Sequence, residues 1–109
     1  MLHIQTNSVI QRTKITAATT SPATIVAALA GNKAILLSIT ITAASAVTIT
    51  FNSDTTALTG AMTLAAGVPL TISAENYGIL QTATGEGLKF TLGGTVQVSG
   101  TATWIYETA

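Results

Sequence analysis

The side chains able to do chemistry are few. The chain holds one histidine, His3, four acids, Asp54, Glu75, Glu86 and Glu107, and no cysteine. A Ser-His-Asp or Cys-His site needs its imidazole held rigidly beside the nucleophile. Position 3 is a poor place to hold one, so a solvated terminal role is expected for His3. Two carboxylates can hydrolyse a glycosidic bond when the fold brings them together. Here the acids sit at turn-like positions or near the C-terminus, with little charge nearby to tune them. Solubility at strand ends is their expected role. Calcium takes roughly six to eight oxygens, usually from clustered acids, and these acids do not cluster. The lack of cysteine excludes a disulfide scaffold and thiolate metal sites. Gly85-Glu86-Gly87 looks like a fragment of a phosphate loop. A phosphate cradle wants a helix N-terminus or a backbone nest, and Leu88-Lys89-Phe90-Thr91-Leu92 reads as a strand, so a turn is expected. The expectation is a protein that is not an enzyme, with no catalytic residue, cofactor or metal.

The composition narrows the partners. Arg12, Lys14, Lys33 and Lys89 are the only basic residues, too few for the basic stripe that phosphate neutralisation needs. No nucleic-acid partner is expected. No apolar run approaches the roughly 18 residues of a membrane span, and Met1–Asn7 lacks the basic and apolar regions of a signal peptide. Neither membrane insertion nor export by that route is expected. Charged residues make up 7% of the chain and the net charge is zero, against roughly 25% charged in ordinary domains. The polar surface must therefore come mostly from Thr, about a fifth of the residues. Thr is β-branched and suits a pleated surface. Zero net charge favours association, which points to a subunit of a larger assembly.

The elements that position these residues follow a period of two. Ile35, Leu37, Ile39 and Ile41 alternate with Leu36, Ser38, Thr40 and Thr42. Val47, Ile49 and Phe51 alternate with Thr48, Thr50 and Asn52. Such alternation marks half-buried antiparallel strands, and the short link Ala43-Ala44-Ser45-Ala46 makes these two runs read as a hairpin. Met62 and Leu64, then Val68, Leu70 and Ile72, then Leu88, Phe90 and Leu92 continue the pattern. Val96, Val98, Ala102, Trp104 and Tyr106 share one parity of a long final strand. Gly100 falls on that apolar parity, which implies a bend or a close backbone approach. Pro69 has no amide donor and places its strand at an edge. Ser21–Gly31 carries helix-like caps, but Thr24-Ile25-Val26 is β-branched, and a strand through Ala28 with a turn at Leu29–Asn32 is favoured. The Thr-x-Thr units show no fixed period and read as outward strand faces.

These features predict an all-β chain: a compact antiparallel β-sandwich, jelly-roll-like, over residues 12–109, preceded by a short N-terminal arm at 1–11. The arm reads either as a frayed terminus or as a segment ordered against a neighbouring subunit. Phe51, Phe90 and Trp104 follow the core parity. Leu36 and Ile105 fall on the polar parity of their strands, and Tyr77 lies in a loop. These three are the candidate intersubunit patch.

Three stretches resemble a group of small β-sandwich proteins of tailed bacteriophages and prophages. They are Ala23–Lys33, Val47–Gly67, and Thr82–Leu88 followed by Val96–Trp104. The similarity covers roughly residues 15 to 106 and lies in turns and small residues, with no motif of functional residues to carry over. It implies a virion structural protein, a capsid decoration (cement) protein that sits on the capsid surface as a homotrimer and bridges copies of the major capsid protein after assembly in the host cytoplasm. A tail or fibre domain, or a carbohydrate-binding module recognising host glycans, are the alternatives, and a small hydrolase with paired acids ranks last. Far-UV circular dichroism of the purified chain is expected to show a strand-type spectrum; helical minima would refute the architecture.

Overall fold

The alternation builds two facing sheets. The computed structural model describes residues 9–74 and 78–108. Its strands are β1 (Gln11–Ala17), β2 (Ala23–Val26), β3 (Asn32–Ala43), β4 (Val47–Ser53), β5 (Thr56–Ala57), β6 (Met62–Leu64), β7 (Leu70–Ser73), β8 (Leu80–Gln81), β9 (Leu88–Leu92) and β10 (Val98–Thr108). The first sheet runs β1-β10-β3-β7, with β8 also on β3. The second runs β2-β9-β4-β5, with β6 also on β4. All these pairings are antiparallel. The chain crosses repeatedly from sheet to sheet, as in a jelly roll. The expected compact antiparallel sandwich is the observed fold.

The core lies between the inner faces. Val47, Ile49 and Phe51 from β4 meet Leu88, Phe90 and Leu92 from β9, and all are buried. Across the gap stand Ile39, Ile41, Val98 and Ala102. Phe51 and Phe90 tilt against each other with centroids 6.4 Å apart. Fully burying a side chain of this size stabilises the fold by about 1.5–3 kcal/mol, so these alternating positions are the main source of cohesion.

Two expectations need correction. β3 and β4 are not a hairpin: they lie in opposite sheets. Alternation tells which face of a strand is apolar, and both strands turn that face to the shared core. It does not tell which strand lies alongside. The link after Ala43 crosses between sheets, with Ala44 N–H donating to the Gln97 carbonyl at 2.9 Å. The second correction concerns parity in β3. Thr103 pairs with Ser38, but Trp104 pairs with Leu36, so Leu37 has no partner on β10. This extra residue is a β-bulge, and it reverses which residues face inward. Leu36 therefore enters the main core at 0% exposure. Ile35 and Leu37 turn to the outer face, where they join Ile105 in a second, covered apolar cluster. Gly78 lies against this cluster. It has φ +74, and a Cβ there would meet Ile35 Cγ2 at 2.5 Å.

The segment after Pro22 forms β2 only as far as Val26. The expected turn follows, with Asn32 N–H donating to the Leu29 carbonyl at 3.1 Å. Pro69 immediately precedes β7, which lies at the edge of its sheet. Gly100 pairs with Ile41 in the register of β10 on β3, and the backbones approach closely there. A Cβ at Gly100 would lie 2.8 Å from Ile41 Cα and closer still to the Thr40 carbonyl oxygen. Gly100→Ala is expected to cost about 1–3 kcal/mol through forced backbone movement. Urea denaturation checks this, and an unchanged midpoint would contradict it.

Candidate assembly surfaces

Among the described residues, Ser53, Glu86, Asp54 and Lys89 make contacts that link neighbouring segments. Ser53 is buried, and its Oγ donates to Glu86 Oε1 at 2.6 Å while accepting from the Ala83 N–H at 3.0 Å. With both capacities used and almost no exposure, this hydroxyl ties the 82–87 loop to β4. Lys89 Nζ lies 3.3 Å from Asp54 Oδ1, with both side chains partly exposed. Such a surface pair is worth about 0.2–1 kcal/mol. Glu107 pairs in register with Lys33 across β10 and β3. No group of three or more His, Cys, Asp or Glu that could hold a metal occurs among the described residues. His3 and Glu75 lie outside the described residues.

The three candidate interface residues are not brought together as a surface patch. Leu36 is in the core, and Ile105 is 1% exposed within the second cluster. Neither offers surface to a partner, because the bulge at Leu37 and the cover over the outer cluster bury them. Tyr77 lies outside the described residues.

Sequence reasoning missed a polar seam between the sheets. Trp104 Nε1 donates to Thr13 Oγ1 at 2.8 Å, and that hydroxyl donates onward to the Ile25 carbonyl at 2.9 Å. Thr13 is on β1 and Ile25 on β2, so one hydroxyl bridges the two sheets along their common flank. Tyr106 stacks edge-on against Trp104 with centroids 4.9 Å apart, and its hydroxyl donates to the Ala27 carbonyl at 2.7 Å. The usable signal was Trp104 itself, since a half-buried indole N–H needs an acceptor.

The outer face of the first sheet is a field of hydroxyls. The pairings set Lys14, Thr101, Thr40 and Thr71 in one row and Arg12, Thr103, Ser38 and Ser73 in the next. The sheet edges are guarded: β1 carries Arg12 and Lys14, Pro69 adjoins β7, and β2, β5, β7 and β8 have no more than four residues. Short strands, basic side chains and proline are devices that discourage edge-to-edge pairing. Among the described residues, the exposed large apolar side chains lie elsewhere: Val9, Ile10, Leu29 and Val68.

No known family profile matches the chain, and no curated protein matches it. Among solved structures, its fold is similar to that of a protein from Bacillus endospore appendages, described as a novel family of disulfide-linked pili. The identity is 18% and the TM-score 0.55, over 95% of this chain and 90% of that one. The expectation of a capsid decoration protein is corrected by this finding: the structural likeness is to a pilus protein, not a phage head protein. At this identity the likeness establishes the fold alone.

Thr13→Val is expected to strand the Trp104 N–H and to cost about 1–3 kcal/mol. Trp104 is the only tryptophan, so its fluorescence should report the change at the seam alongside the denaturation midpoint. A variant with wild-type emission and stability would show that the bridge contributes nothing.

Proposed function

We propose that this chain is a structural subunit of a proteinaceous surface appendage, a filament built from many copies of itself. The observation that carries the reading is the fold likeness to a pilus protein, which extends over nearly the whole chain. Other features agree with it. Zero net charge removes the long-range repulsion that keeps monomers apart. Few charges also mean that few ions are stranded when surfaces meet. Glu86 and the buried Ser53 hold the 82–87 loop in place. In this reading the chain binds its own copies and carries out no reaction.

The reading departs from its structural neighbour in one respect. That family is disulfide-linked, and this chain has no cysteine. Cohesion between copies must come from burial and hydrogen bonds, repeated along the filament by its symmetry.

Negative-stain electron microscopy of the concentrated purified chain is expected to show filaments. Thiol reductants should leave their length unchanged. A protein that stays monomeric at high concentration by light scattering, with no filaments on the grid, would overturn the proposal.

A further inference from the structure

The appendage reading leaves open how copies without cysteine are joined, and the fastening of the links between strands answers it. The chain crosses from sheet to sheet at 18–22, 27–31, 44–46, 65–69, 82–87 and 93–97. Backbone hydrogen bonds pin every crossing after the first. Asn32 N–H donates to the Leu29 carbonyl at 3.1 Å, Ala44 to Gln97 at 2.9 Å and Gly67 to Ala43 at 2.8 Å. Thr82 donates to Ala34 at 3.0 Å and Gly93 to Thr48 at 2.9 Å. Ala18-Thr19-Thr20-Ser21-Pro22 makes no such bond to another described residue, and every residue in it is exposed. Ser21 precedes a proline, which favours extended backbone there over a compact turn.

The strand on this unpinned link is also the one most easily spared. β1 is an edge strand, and β10 is its ladder partner. Ile15 anchors it in the core. The Thr13 hydroxyl joins it to Trp104 and to the Ile25 carbonyl, and the Gln97 side chain donates to Thr16 Oγ1 at 3.0 Å. All of these partners lie beyond the link in the chain. A β1 supplied by another copy meets the same partners in the same register.

We infer that β1 is exchanged between copies. The β1 of one subunit seats on β10 of the next, and its own β10 receives β1 from the subunit before. The occupant is a second copy of this chain because the seat already matches that segment pair by pair, from Gln11 opposite Trp104 to Ala17 opposite Val98. Exchange conserves these contacts and opens a link that no bond holds, so rising concentration favours the joined form by mass action. The guarded outer edge of β1 is no obstacle, since the seat is the inner one on β10. The contact is heterologous and repeats without closing. Five extended residues span at most about 18 Å, and the molecule measures 40 × 24 × 21 Å, so linked subunits abut. The joint needs no sulfur.

This inference rests on the appendage reading, and the test separates the two. The chain lacks cysteine, so a pair introduced at facing positions forms a single lock. Lys14 and Thr101 face each other in the ladder and both are exposed. The variant Lys14→Cys/Thr101→Cys is oxidised as a dilute monomer, which ties β1 to its own β10, and circular dichroism checks the fold. The locked monomer is expected to form no filaments at the concentration used for microscopy, and reduction should restore them. Filaments grown first from the reduced variant and then oxidised should give a ladder of linked chains on a non-reducing denaturing gel. Thr16→Cys/Ser99→Cys is a second facing pair, used where the first disturbs the fold. Filaments from the locked monomer would overturn the inference and leave the appendage reading standing. Filaments that release only single chains after oxidation would do the same. Linked dimers with nothing longer would show reciprocal exchange and overturn the inference. A wild-type chain that forms no filaments would overturn both.

Discussion

The pairing of β3 with β10 is the constraint on which the rest of the molecule depends. Eleven register pairs run from Val98 opposite Ala43 to Thr108 opposite Asn32. These two strands form the middle of the first sheet, and every other member of that sheet attaches to one of them. Their inner faces supply Ile39, Ile41, Val98 and Ala102 to the core. The contact is close enough at Gly100 to exclude any side chain. Lower down it slips by one residue at Leu37. Above the slip the outer face is hydroxylated, and below it lies a small covered apolar cluster. A single bulge thus divides one sheet face into two chemical environments.

The face assignment was legible wherever the alternation is unbroken, since period-two alternation is a direct record of burial. β4 and β9 behave as read, with every apolar position inside. Sheet membership was not legible. Val47–Phe51 and Ile35–Ile41 have the same pattern whether they pair side by side or face each other across a core. Leu36 was misplaced for a related reason. Ala34-Ile35-Leu36-Leu37 is an unbroken apolar run, and such a run has no parity to read. It marks a strand covered on both faces, which is what the structure shows there. The Thr13 bridge was hidden because its three residues, Thr13, Ile25 and Trp104, lie on three different strands, far apart in the chain.

The surface follows from charge scarcity. Most of the described polar side chains are hydroxyls that pack along the pleat or cap a neighbour, as Ser38 and Thr103 do with each other. A surface of this kind is polar without being repulsive. Among the described residues, the exposed large apolar side chains are Val9, Ile10, Leu29 and Val68.

The order of strands in the first sheet also governs when the protein can exist. β10 stands between β1 and β3, so the earliest strand has no partner until the latest one has been made. A ribosome-bound chain holds β1 and β3 without the strand that joins them. Pairing between such distant segments is slow compared with local structure. The first sheet therefore closes only after β10 has been made.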